Sequence, residues 1–298
     1  MSGWDGSGTL PLPSPAVQHA VLLLSCADHP GIVADVAQWV TSSGGNIVHA
    51  EQHTDHEDGM FFQRVEFTTD SLAFGVAELD QHFAGVAARH GMTADIRLSG
   101  WRPRTVVLAS KPAHCLADLL ARSFTGDLDL DIAAVASNHP DNRALVEMFG
   151  TPFHHLPVGD DRAGQEQRLA DLLAELQPEL IVLARYMLVL PAWLVDSWPL
   201  SIINIHHSFL PAFVGASPYR QAHDRGVKVI GATAHYVTAG LDEGPILDQD
   251  VSRVSHRDDV AELTRKGRDL EVAVLARAVR AHIEHRVLTW GNRTVIFE

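Results

Sequence analysis

Between residues 105 and 207 the chain alternates short apolar, β-branched runs with helical patterns, and no other feature restricts its fold as much. The runs "TVVLAS", "LDIAAVAS", "ELIVLAR" and "SIINIHH" are separated by "CLADLLARS", "NRALVEMFG" and "QRLADLLAEL". Near-continuous Val, Ile and Leu is what a strand buried on both faces needs, and the intervening helices supply the two covers. An α/β domain with a mostly parallel sheet is therefore expected over 105–298. Its later strands, "VKVIGATAHYV" and "PILDQDVSRV", are longer and more polar, and "DDVAELTRKGRDLEVAVLARAVRAHIEH" predicts a long helix.

A second, smaller unit is expected over 17–99. "AVQHAVLLLSC" reads as a strand, and "DHPGIVADVAQWVTSSGG" as a helix with Ile32, Val33, Val36 and Val40 on one stripe. Two strands follow, "NIVHAEQHTD" and "MFFQRVEFTT", joined by the turn "HEDG". "SLAFGVAELDQHFAGVAARHG" predicts a helix with a stripe of Leu72, Val76, Leu79 and Phe83, and "MTADIRLS" a last strand. The order βαββαβ is the ferredoxin-like arrangement. "GWRPR", 100–104, reads as the linker between the units. Residues 1–16 are dominated by Gly, Ser and Pro and read as a flexible tail.

The net charge of −14 argues against nucleic acid as the main partner, because phosphate backbones are held by basic patches. Cys26 and Cys115 lie in separate segments and suggest neither a disulfide framework nor a paired-cysteine metal site. No stretch approaches the ~18 apolar residues of a membrane span, and the first residues do not form a secretory signal. A cytoplasmic location is expected.

Ligands of parallel α/β sheets bind outside the carboxyl ends of the strands. "SIINIHH" ends there with Asn204 and His206, two apart, so an extended backbone points both side chains the same way. An amide and an imidazole converging on one point supply two donors to a developing oxyanion. Asp242, in the loop "TAGLDEGP", is the candidate base or proton shuttle, with Gly240 and Gly244 allowing close approach of the backbone. Taken singly, Asn204 and His206 read equally well as a strand cap, and Asp242 as a turn residue.

The long segment "INIHHSFLPAFVGASPYRQAHDRGVKVIGATAHYVTAGLDEGPILDQD" resembles the formyltransferase-fold enzymes that use 10-formyltetrahydrofolate. Their Asn-x-His strand end, Leu-Pro turn and Leu-Asp-x-Gly-Pro loop match Asn204/His206, Leu210–Pro211 and Leu241–Pro245. The N-terminal unit, with "DHPGIVADVAQWVTSSGGNI", is similar to an ACT domain. An ACT domain ahead of a Rossmann-like formyltransferase domain is the arrangement of the formyltetrahydrofolate deformylase family, and the resemblance covers about residues 18–298.

It implies hydrolysis of 10-formyltetrahydrofolate to tetrahydrofolate and formate, with formate supplied to purine synthesis, no bound cofactor and no metal. It implies catalytic roles for Asn204, His206 and Asp242. It also implies a folate pocket of Tyr186, Met187, Leu188, Val189 and Leu190 with His235, Tyr236, Val237 and Thr238. By the same resemblance Asp28, Gly31 and Asn46 are candidates for an amino-acid effector site, with pure assembly into a homo-oligomer as the competing role of the ACT unit.

The sequence bears on the acceptor. Glycinamide ribonucleotide transformylases hold a phosphorylated acceptor on a Gly/Ser-rich loop after the first strand. Here that loop is "ASKPAHC", without glycine and with one N–H removed by Pro112, a poor phosphate cradle. Lys111 keeps some capacity for an anion. Water is expected as the acceptor, with transfer to an amine, or a folate-binding protein without catalysis, as alternatives. The adjacent pairs His154–His155 and His206–His207 point to opposite sides and chelate poorly, so no metal is expected. For His207, facing away from His206, a supporting or core-packing role weighs at least as much as catalysis.

Overall fold

The computed structural model describes residues 18–211 and 218–298; the expected tail, 1–16, lies outside them. The chain divides into two compact units at Ser99/Gly100.

The first unit runs β1 (His19–Ala27), α1 (Ile32–Ser42), β2 (Ile47–Asp55), β3 (Met60–Thr68), α2 (Leu79–His90) and β4 (Thr93–Leu98). Its antiparallel sheet has the order β2-β3-β1-β4, the expected ferredoxin-like arrangement. Ala20, Leu22, Leu24 and Cys26 alternate along β1 and pack with the buried stripes of both helices. Two details differ from expectation. Val33 is 42% exposed, and Trp39 takes its place in the stripe Ile32, Val36, Trp39, Val40. That set follows the i, i+4, i+7, i+8 rule, and Val33 falls at its outer edge, in the first turn of the helix. The second helix begins at Leu79, not near Ser71. A single 3-10 turn, Val76–Glu78, precedes it, and the Gly75 N–H donates to the Glu78 carboxylate at 2.9 Å. Leu72 and Val76 still pack on the core from outside the helix.

The second unit continues with β5 (Arg104–Ala109), α3 (His114–Thr125), β6 (Asp131–Ser137), α4 (Arg143–Met148) and β7 (Phe153–His155). Then come α5 (Arg162–Leu176), β8 (Leu180–Ala184), α6 (Ala192–Val195), β9 (Ile202–His206), α7 (Pro218–Arg225), β10 (Val229–Tyr236), β11 (Ile246–Arg253), α8 (Val260–Ile283), β12 (Val287–Trp290) and β13 (Arg293–Ile296). Arg104, assigned to the linker, is already the first residue of β5. The terminal hairpin β12–β13 had no counterpart in the sequence reading.

The seven-stranded sheet has the order β11-β10-β9-β8-β5-β6-β7. The five strands from β9 to β7 are parallel, and β10 and β11 are antiparallel. Alternation sends successive side chains into two cores. Val107, Ala109, Val182, Ala184, Ile203 and Ile205 pack with Val274 and Val279 of α8. Val106, Leu108, Ile181, Leu183 and Ile202 pack with Leu169 and Leu173 of α5. Each fully buried Val, Ile or Leu contributes about 1.5–3 kcal/mol relative to exposure, which is why the register of these strands is not free to slip. From β5 the chain steps outward to β6 and β7, then crosses back to β8 and β9. The strand order therefore reverses beside β5, and the carboxyl ends of β5, β8 and β9 border the crevice where α/β sheets bind ligands.

Candidate active site

β9 delivers two polar side chains to that crevice. Ile205 is 3% exposed within the α8-side core, so Asn204 and His206 face the other way. β10 lies antiparallel to β9 with His235 opposite Asn204 in register. The Asn204 Nδ2 and His235 Nε2 are 3.2 Å apart. Asp242 comes from the loop between β10 and β11, in the left-handed region at φ 54°. Its Oδ2 is 3.1 Å from His206 Nδ1 and its Oδ1 is 3.5 Å from His235 Nε2. Of the two loop glycines, Gly244 is the demanding one: a Cβ there would overlap the Tyr236 carbonyl oxygen. At Gly240 a Cβ would meet only the movable Glu243 side chain.

The protonation pattern follows from these contacts. The Asp242 carboxyl is held well below the usual carboxylate range, first by the hydrogen bond from His206 and then by His235, against the opposing effect of burial. An ionised carboxylate only accepts, so His206 carries a proton on Nδ1. The other nitrogen, Nε2, is buried and has no partner among the described residues. His235 donates from Nδ1 to the Tyr236 carbonyl oxygen at 2.9 Å. With that proton in place, its Nε2 faces the Asn204 amide at 3.2 Å and Asp242 Oδ1 at 3.5 Å. His235 thus pins the amide of Asn204, leaving the second N–H of Nδ2 to point elsewhere.

These groups close one end of a 330 Å³ cavity. Tyr186, Met187, Leu188, Val189, Leu190, His235, Val237 and Thr238 all border it. Tyr236 does not. It is 3% exposed in the α8-side core, and its hydroxyl lies 2.7 Å from His282 Nδ1. Adjacent residues of a strand face opposite ways, so His235 and Tyr236 cannot both point at one ligand. The apolar loop after β8 is tied in place: Met187 N–H donates to Ser110 Oγ at 3.0 Å, and Arg162 donates to the Val189 carbonyl at 2.9 Å. Gln165 Nε2 donates to the Tyr186 hydroxyl at 3.2 Å.

Two titratable wall residues were missed by the sequence reading or set aside. His207 borders the cavity, its ring centroid 5.2 Å from that of His206. Burial, with Arg185 and His206 nearby, pushes its imidazole down to about 4, so it is neutral at pH 7. Arg185 follows β8 directly, at φ 61°. Its Nε is 3.2 Å from Oε2 of Glu271, an acid 1% exposed on α8. His114 Nε2 lies 2.7 Å from the same oxygen, and the Tyr219 hydroxyl donates to Oε1. One sequence signal was available: a charge placed straight after the buried run "ELIVLA".

His114, Cys115 and Glu271 are the one group of three potential metal ligands gathered among the described residues. Burial pushes the Cys115 thiol well up, which keeps it protonated, and both Glu271 oxygens are engaged by His114, Tyr219 and Arg185. The cluster is a hydrogen-bonded ion network.

In the ACT-like unit the three candidate effector residues do not converge within one chain. Asp28 and Gly31 precede α1, with Gly31 at φ 102° as its N-cap, whereas Asn46 follows its other end. Eleven helical residues separate the two places by about 16 Å. At the Asp28 end His29 Nε2 lies 2.8 Å from His90 Nδ1, and His90 Nε2 lies 2.9 Å from Asp35. No helix among the described residues is long and apolar enough to cross a membrane.

Comparison with known proteins agrees with this architecture. The formyl transferase family model matches residues 103–279, and the ACT domain model residues 20–73. A formyltetrahydrofolate deformylase of Synechocystis is 51% identical over 93% of this chain and 98% of its own length. That of Bacillus subtilis is 46% identical over 93% of each. The crystal structure of a formyltetrahydrofolate deformylase from Pseudomonas syringae pv. tomato superposes with a TM-score of 0.92 at 46% identity, covering 95% of both chains.

Proposed function

Because this chain belongs to the formyltetrahydrofolate deformylase family, we infer that its α/β unit hydrolyses 10-formyltetrahydrofolate to tetrahydrofolate and formate. The observation that carries the residue roles is the unpartnered, buried Nε2 of His206 beside the amide of Asn204, with Asp242 behind the imidazole.

The pterin end of the substrate packs between the loop Tyr186–Leu190 and the segment after His235. That places the formyl group at the polar end. Asn204 Nδ2 and a protonated His206 Nε2 then donate to the formyl oxygen as it gains charge, while Asp242 stabilises the imidazolium. Water attacks the formyl carbon. A carboxylate this acidic is a weak base towards free water. As the new C–O bond forms, however, the attacking oxygen becomes strongly acidic, and Asp242 accepts its proton. That proton passes to N10 as the C–N bond breaks, so hydroxide and proton both derive from one water.

The acceptor side supports water. α3 starts at His114, and His114 is committed to Glu271, so the helix N-terminus and the loop "ASKPAHC" offer no glycine cradle for an acceptor phosphate. Formate release from 10-formyltetrahydrofolate without any amine tests this reading. Equal release with and without candidate amine acceptors is expected; strict dependence on an amine would sink it.

For the ACT unit we propose assembly of copies. β2 is an edge strand of its sheet and mostly exposed. An amino-acid effector would need a second copy to bring an Asn46 to an Asp28–Gly31 turn. Sedimentation together with calorimetric titration of glycine and methionine separates the two roles. Heat without any oligomer would refute a shared site.

A further inference from the structure

The catalytic cavity has a neighbour. A second cavity of 510 Å³ is bordered by Pro112, His114, Tyr219, Arg220, Thr264, Arg268 and Glu271, and it shares Arg185, Met187 and His207 with the first. The shared wall stands directly beside His206, at the polar end of the catalytic cavity.

The two cavities differ in charge. The single acid of the second, Glu271, is satisfied by Arg185, His114 and Tyr219. Arg220 and Arg268 have no ion-pair or hydrogen-bond partner among the described residues. Two uncommitted guanidinium groups thus face one cavity on a chain whose net charge is −14. Guanidinium presents a planar fork suited to carboxylates.

Deformylation creates a need for such a place. Bound folate fills the apolar end of the first cavity, so the mouth by which it entered is plugged when the C–N bond breaks. Water supplies oxygen to carbon and a proton to N10, and the resulting formic acid ionises to formate. A small anion and an incoming water then have to pass the polar end while tetrahydrofolate still occupies the apolar end. The second cavity is far larger than formate, as an aqueous passage must be.

We propose that this arginine-lined cavity is the passage by which water reaches the formyl carbon and formate leaves, so that formate departs before tetrahydrofolate. The site takes small monocarboxylates. Arg185 in the shared wall is held against Glu271, so the uncommitted positive charge lies beyond it on Arg220 and Arg268, where it draws the anion out of the catalytic end. The inference rests on the deformylase reading and adds an order and a route to it.

Product inhibition of the full-length enzyme tests it. Initial rates are measured against 10-formyltetrahydrofolate at several formate concentrations, with sodium chloride holding ionic strength constant. If formate leaves first, formate inhibits noncompetitively and tetrahydrofolate competitively. In the double variant Arg220→Gln/Arg268→Gln the formate inhibition constant rises by about fivefold, the loss expected for two partly solvated charge contacts. Both arginines are exposed, and an unchanged melting temperature verifies the fold. Arg143→Gln, a charge removed from the distant α4, leaves the inhibition constant unchanged. Competitive inhibition by formate, or an unchanged constant in the double variant, overturns the route. Absence of formate release from the wild type would instead remove the deformylase reading itself.

Discussion

Replacing Asp242 with Asn removes one charge and almost no volume. The Asn oxygen can still accept from His206 Nδ1, so the ring keeps its place and its proton. What disappears is the negative charge 3.1 Å from that nitrogen. At an effective dielectric constant of about 20, the attraction between a carboxylate and an imidazolium at that separation is about 5 kcal/mol. Part of it already acts in the resting enzyme, so the share specific to the transition state is smaller, about 3–4 kcal/mol, or a fall in kcat of about 10²–10³-fold. In the proposed placement tetrahydrofolate contacts the apolar end of the cavity, away from the carboxylate. Its dissociation constant should therefore change by less than about threefold. Formate quantified under saturating substrate gives kcat, and calorimetric titration gives the affinity. A fall in kcat below about tenfold, or an equal loss of affinity and turnover, would refute the assignment of Asp242 to the chemical step.

Three further outcomes are expected. Asn204→Ala removes one of two donors to the formyl oxygen and should lower kcat by about 10² with little change in KM; an effect confined to KM would make Asn204 a binding residue only. Gly267→Ala should lower the melting temperature even though Ala favours a helix over Gly by about 1 kcal/mol, because its Cβ would run into the ring of Tyr219 and push that hydroxyl off Glu271. A raised melting temperature would show the packing there to be loose. The His207 imidazole, pushed down to about 4, lies below its unfolded value of about 6.5, so the unfolded chain takes up the proton first. Its linkage therefore lowers stability as pH falls from about 6.5 towards about 4, and NMR titration of its ring should show no midpoint above about 5.

Much of the architecture was legible because it rests on periodicity. Uniformly apolar runs announced doubly covered strands, and the i, i+2 rule placed Asn204 and His206 together with Ile205 in the core. The same rule exposes where the reading failed. Residues 235 to 238 were taken as a block from a family resemblance, yet a strand sends His235 to the ligand and Tyr236 to the opposite core. Val33 was counted into a helical stripe by its spacing from Val36 and Val40, yet it falls at the outer edge of that stripe and is exposed. Arg185, Glu271, His114 and Tyr219 were missed for another reason. Helix phase shows that Glu271 is buried, but its partners lie 52 and 157 residues away along the chain, and only tertiary packing brings them together. Asp28 and Gly31 lie in "ADHPGI" and Asn46 in "GGNI", two places matched from a family resemblance, and the rigid length of α1 holds them apart.

The central claim is that water is the acceptor of the formyl group, and isotope labelling tests it most directly. Turnover of 10-formyltetrahydrofolate in ¹⁸O-enriched water, without added amine, should yield tetrahydrofolate and formate in equal amounts, each formate carrying one solvent oxygen. Formate without the label, or a formyl group recovered on an amine, would contradict the account.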